Sequence, residues 1–125
     1  MEQTQIEKGN ALILEFEGFV FTNDDPAAYP NGYYYNPDEG YHTLGECKFN
    51  TSWDWIMPVV EKIELLGYDT RIGGVTLIKD GVQSKLNYAE TESIIGDTIS
   101  YCNGTTKIES VWLAVVEFIK WKNSK

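Results

Sequence analysis

From Gly18 to Tyr41 the chain carries Phe19, Phe21, Tyr29, Tyr33, Tyr34, Tyr35 and Tyr41, interleaved with Pro, Gly, Asn and Asp. Tyrosine offers broad, rigid contact area with a polar tip, which suits a binding surface. A strand over Tyr33, Tyr34 and Tyr35 presents rings to both faces of its sheet. At least one ring must then face solvent, a partner or a second copy of the chain. The plainer alternative is that the outer rings cover the sheet edge beneath the loop. Trp53 and Trp55, two apart on a predicted helix, cannot point the same way. One belongs to the core, and the other covers the hairpin or is exposed. The candidate contact residues are therefore Tyr33, Tyr34, Tyr35, Tyr41, Trp53 and Trp55. Arg71, the only arginine, and Lys48 are the candidate cations for a small nucleotide held between rings.

Catalytic chemistry has thinner support. His42 is the only histidine, which excludes sites with several His ligands, and HExxH is absent. A thiol needs a base within hydrogen-bond reach to act as a nucleophile, so His42 and Cys47 form a conceivable pair. Asp24-Asp25 and Asp38-Glu39 supply paired carboxylates of the kind that hold Mg²⁺ or Ca²⁺. They fit no EF-hand spacing, and acids at turns are common for conformational reasons. Gly73-Gly74 lacks the Lys-Ser/Thr of a P-loop, and neither Gly-x-Gly-x-x-Gly nor Gly-x-Ser-x-Gly occurs. No catalytic residue, cofactor or bound metal is expected.

The composition sets the elements that position these residues. The chain has 125 residues and is expected to form one domain, 1–125, with a core built from 42% hydrophobic and 14% aromatic residues. Nineteen acids against ten bases give a formal charge of −9. Such a field repels phosphate backbones and anionic lipid, so neither direct nucleic-acid binding nor membrane binding is expected. It is compatible with a basic protein partner or with mimicry of nucleic acid, the plainer alternative being that the acidity simply keeps a small protein soluble. Two cysteines without paired spacing point to a reducing compartment. Residues 1–8 lack a signal-peptide pattern, and apolar runs such as 12–14 and 111–116 are too short for a span. The expected location is the cytoplasm.

Periodicity places three helices. Near the C-terminus Thr106 and Glu109 make a Thr-x-x-Glu capping box, and Ile108, Val111, Trp112, Val115 and Ile119 recur as one stripe. Phe118 and Trp121 widen it, and Lys120, Lys122 and Lys125 suit the negative end of the dipole. A second helix is expected over 52–66, capped by Thr51 with Asp54, with Ile56, Val59, Val60, Ile63 and Leu66 buried. Gly67 should provide a left-handed stop. Pro58 should kink this helix or loosen its first turn. A third helix, 4–16, would bury Ile6, Leu12, Ile13 and Phe16 despite Gly9, with Gly18 as its stop.

Strands are expected at 19–22 and 33–35, and at 41–44 after an Asn36–Gly40 turn. Further strands at 68–72 and 75–79 would flank a Gly73-Gly74 turn, and Asp80-Gly81 would lead into 82–86. A weaker strand, 93–100, is interrupted by Gly96. The order helix, strands, helix, strands, helix implies an α+β fold, a mostly antiparallel sheet packed by about three helices.

The run from Phe49 to Glu64, with Trp53-Asp54-Trp55 and Pro58-Val59-Val60, resembles a segment of small uncharacterised proteins of Bacteroidetes and their phages. The stretch from Lys107 to Trp121 resembles their final helix. Those proteins look related to the phage αβα-sandwich domain, which has helices on both faces of a sheet. The resemblance implies that fold, a phage or prophage setting and no established catalytic residues to carry over. The leading expectation is a non-enzymatic binding module acting on a host protein, as in counter-defence, which includes sequestering a small nucleotide ligand. The alternatives are a small metal-assisted hydrolase using Asp24, Asp25, Asp38 or Glu39, and a structural homo-oligomer.

Overall fold

The computed structural model describes residues 1–79, 82–93 and 98–125, with the side chains of 74–87 outside that description. The expected Asp80-Gly81 turn and the expected interruption at Gly96 lie outside the described residues. In chain order the elements are α1 (Gln3–Phe16), β1 (Val20–Thr22), β2 (Tyr33–Asn36), β3 (Gly40–His42), a 3-10 turn (Leu44–Glu46), α2 (Trp53–Leu65), β4 (Asp69–Lys79), β5 (Val82–Glu92), β6 (Thr98–Gly104) and α3 (Lys107–Asn123). The fold is α+β, and every described strand pair is antiparallel. The strands divide between two three-stranded sheets, β1-β2-β3 and β4-β5-β6. Backbone packing resolves two compact units, Met1–Lys48 and Phe49–Lys125. Among the described residues no helix is long and apolar enough to cross a membrane.

In the first unit, α1 buries Gly9, Asn10, Ile13 and Leu14. The expected stripe was offset: Ile6, Leu12 and Phe16 are only half-buried. A polar residue, Asn10, sits in the buried stripe and hides it from a hydrophobicity pattern. After α1 the chain forms a hairpin in which Tyr34 pairs with His42 and Tyr35 with Tyr41. Its turn follows the chemistry of its residues. The Asp38 N–H donates to the Asn36 side chain at 2.8 Å, and the Glu39 N–H to the Asn36 carbonyl at 3.2 Å. The return strand is shorter than expected because the chain folds into the 3-10 turn. There the Thr43 N–H donates to the Glu46 carboxylate at 2.8 Å.

The second unit is built on α3. The Glu109 N–H donates to the Thr106 side chain at 3.2 Å, as the capping box requires. The Glu109 carboxylate takes its own hydrogen bond from the Thr105 hydroxyl, at 2.8 Å. Val111, Trp112, Val115, Phe118 and Ile119 of the expected stripe are buried and Ala114 and Val116 join them, while Ile108 and Trp121 are half-buried. Trp112 and Phe118 are almost fully buried; large apolar side chains gain about 1.5–3 kcal/mol each on burial. The helix lies on the β4-β5-β6 sheet with α2 beside it. Ser100 ties sheet to helix, its hydroxyl donating to the Ala114 carbonyl at 3.0 Å while meeting the Thr91 hydroxyl at 2.7 Å.

Helix α2 is capped by Ser52, not Thr51, and the cap makes no side-chain hydrogen bond. It runs unbroken through Pro58 and buries Ile56, Val59, Val60 and Ile63. Leu66 is exposed because the helix has already ended, and Gly67 follows with φ 98°. The expected Gly73-Gly74 turn is absent. Both glycines lie inside the continuous strand β4, opposite Tyr88 and Asn87. A Cβ on Gly73 would stand 2.7 Å from the Tyr88 ring, so this glycine makes room for an aromatic cover rather than for a turn. The last strand, placed at 93–100 from sequence, runs Thr98–Gly104 instead.

Candidate functional site

Strand alternation sorts the aromatics of the first unit onto two faces. Phe21, Tyr34 and His42 are cross-strand neighbours on one face. Tyr34 is buried there, its ring 5.4 Å from Phe21 and edge-on to it. Val20, Tyr35 and Tyr41 are neighbours on the other face and are 66%, 46% and 53% exposed. Tyr33 shares that face and contacts Tyr41 diagonally, ring centroids 5.9 Å apart.

Tyr29, from the loop before β2, completes a cluster with these residues. Its ring lies 4.8 Å from Tyr33 and 5.7 Å from Tyr41. The loop is fixed by local bonds. The Tyr29 N–H donates to the Asp25 carbonyl, the Ala28 N–H to the Asp25 carboxylate and the Gly32 N–H to the Tyr29 carbonyl. Gly32 is required here. Its φ is +76°, and a Cβ would stand 2.5 Å from the Phe21 ring and 2.9 Å from the Thr22 carbonyl oxygen. The Tyr33 hydroxyl donates to Asp24 at 2.8 Å. That bond is the leading cause that raises Tyr33 above the ordinary phenol range. Hydrogen bonding with Tyr41, then desolvation, pushes Tyr29 up to about 12. These hydroxyls are thus neutral hydrogen-bonding tips at physiological pH.

Beside the cluster is a cleft of about 350 Å³ between α1, the Tyr29–Gly32 loop and the 3-10 turn. Glu7, Tyr29, Tyr34, Thr43, Leu44 and Gly45 line it, and its lining holds no lysine or arginine. The unit carrying cleft and tyrosines has nine acidic residues against two basic ones, a formal −7 of the chain's −9.

Compared with protein-family models, with curated proteins and with solved structures, the chain gives no match.

The remaining sequence candidates belong to the second unit. Trp53 is 42% exposed at the start of α2, whereas Trp55 is half-buried and packs edge-on to Phe49 at 5.1 Å. Arg71 pairs with Glu92 at 3.4 Å and lies opposite Glu90 in the sheet. Burial, then Glu92, pushes the Glu90 carboxyl up. A nucleotide held between rings needs a cation beside an aromatic pocket; the cleft lining has none, and Arg71 is engaged by carboxylates.

The conceivable nucleophile pair is not assembled. The Cys47 thiol donates to the Thr43 carbonyl at 3.3 Å, while the Nδ1 of His42 lies 3.3 Å from Glu46. Burial, aided by Glu46, pushes the thiol up to about 11, so it stays protonated at neutral pH. The Asp24 and Asp25 carboxylates accept the hydrogen bonds already described, and Asp38 takes part in its turn through its backbone N–H. Among the described residues no three His, Cys, Asp or Glu side chains converge as a metal-ligand group.

The structure thus brings Tyr33 and Tyr41 together and turns Tyr34 away from them. Tyr29 was visible only as one of the loop aromatics. Glu7 and Leu44, which both line the cleft, carry no sequence signal that they do so. A stacked pair in the second sheet, Tyr88 and Tyr101 at 5.7 Å, also escaped, because its residues belong to different strands.

Proposed function

We propose that the protein is a non-enzymatic binding module whose first unit docks a basic surface of a host protein through the exposed face of its small sheet. The observation that carries this is the coincidence of Val20, Tyr35 and Tyr41, all largely exposed, with a local formal charge of −7. Aromatic side chains dominate binding energy where they are desolvated at the centre of an interface. Excess charge of one sign steers a partner of the other sign. Tyr35 and Tyr41 are the anchors, with Tyr33 and Tyr29 packed against Tyr41.

The setting we propose is the cytoplasm of a bacterial host, with the protein encoded by a phage or prophage and acting in counter-defence. Support comes from the resemblance of the Phe49 to Glu64 and Lys107 to Trp121 stretches and from two free cysteines. The test is capture from host lysate by wild type and by Tyr35→Ala/Tyr41→Ala, followed by titration of the purified partner. A partner with a basic contact surface should bind at least about tenfold more weakly to the variant, since two hot-spot truncations cost more than about 1.4 kcal/mol together. Added salt should slow association. Equal affinity for both proteins would remove the tyrosine face from the interface. Self-association lost in the same variant would favour a homo-oligomer instead.

A further inference from the structure

We propose that the cleft beside Tyr29 is a binding site for an organic cation, an alkylammonium or alkylguanidinium group. At about 350 Å³ the cleft falls within the size range of small-molecule sites, roughly 300–1,000 Å³. Tyr29, Tyr34 and Leu44 are among the residues that line it. Ring faces carry negative π density and attract cations. Glu7 is the only charged side chain in the lining, and it is a carboxylate. The surrounding unit adds its formal −7. An anion is repelled at every step of entry, and a neutral ligand gains nothing from the field. An alkyl cation matches both the greasy wall and the charge.

Val20, Tyr35 and Tyr41 of the docking face do not line the cleft, and Tyr29, whose ring touches Tyr41, is the residue the two share. The cation has two sources, a free small molecule or a lysine or arginine side chain presented by a protein.

Gly45 makes the site testable without unfolding it. Its φ lies outside the left-handed region, and a Cβ there meets nothing within 4 Å. A large side chain at this position projects into open space rather than into packed atoms. The experiment is nitrogen-15 correlation NMR of the full chain titrated with n-butylguanidinium, with its neutral isostere n-butylurea as control. Saturable shifts are expected at the amides of Gly32, Leu44 and Gly45, with butylguanidinium binding about tenfold or more tightly than butylurea. Gly45→Trp, shown folded by its dispersed spectrum, should abolish the shifts. Glu7→Gln should weaken them several-fold, and Tyr35→Ala, which leaves the Tyr29–Tyr41 contact in place, should leave them intact even where it weakens partner binding.

An acetylated, amidated Gly-Gly-Arg-Gly-Gly peptide separates the sources. Tighter binding than butylguanidinium points to a presented side chain, and weaker binding to a free molecule. Equal shifts from urea and guanidinium, shifts unchanged in Gly45→Trp, or no saturable shift at millimolar probe would each overturn the proposal.

Discussion

Tyr29 holds its proton more tightly than a free phenol because hydrogen bonding with Tyr41 stabilises the neutral form. Its value of about 12, against an ordinary 10.0, makes the fold the tighter proton binder between those pH values. Linkage then fixes the sign. The contribution is complete below pH 10 and is lost as pH rises towards 12. In Tyr41→Phe the ring stays and the bond goes, so Tyr29 should titrate closer to pH 10. Phenolate absorbance at 295 nm, compared between wild type and variant, reads this directly. An unchanged titration curve would mean that the Tyr29–Tyr41 bond does not govern the cluster.

At the scale of elements, two glycines a short distance apart should respond in opposite ways. Gly32 sits at φ +76° against Phe21 and the Thr22 carbonyl, so Gly32→Ala should cost about 1–3 kcal/mol. Gly45 has ordinary φ and open space, so Gly45→Ala should be neutral or gain up to about 1 kcal/mol. Chemical denaturation of both variants checks the pair; comparable losses would contradict the loop geometry. Helix α3 was legible in the sequence because its cap and its stripe agree, and α2 because its stripe and Gly67 agree. The cap of α2 was misplaced by one residue because neither Thr51 nor Ser52 is selected by a side-chain bond at that helix end. Gly73-Gly74 was misread as a turn because local chemistry cannot separate a turn glycine from one lying beneath an aromatic ring. Only the pairing with β5 places Tyr88 over it. In the candidate site, alternation along Tyr33-Tyr34-Tyr35 foretold that the rings divide between faces. Which ring is free was settled by register, Tyr35 against Tyr41. The cleft was not legible at all, since Glu7 and Leu44 come together only through tertiary packing.

Across the whole molecule, charge is distributed unevenly. The first unit carries a formal −7, and the second, with eight bases and ten acids, only −2. Exposed tyrosines occur in both, Tyr35 at 46% and Tyr101 at 51%, so ring exposure alone does not choose between them. Charge differs between them, and the docking we propose for a basic partner therefore falls on the first unit. Tyr35 and Tyr101 therefore form a matched pair for the most direct test, photo-cross-linking to the captured partner from Tyr35→benzoylphenylalanine and, separately, Tyr101→benzoylphenylalanine. Docking through the small sheet predicts a cross-linked product from position 35 and none from position 101. A product from position 101 alone, or from neither position while the partner is still captured, would contradict it.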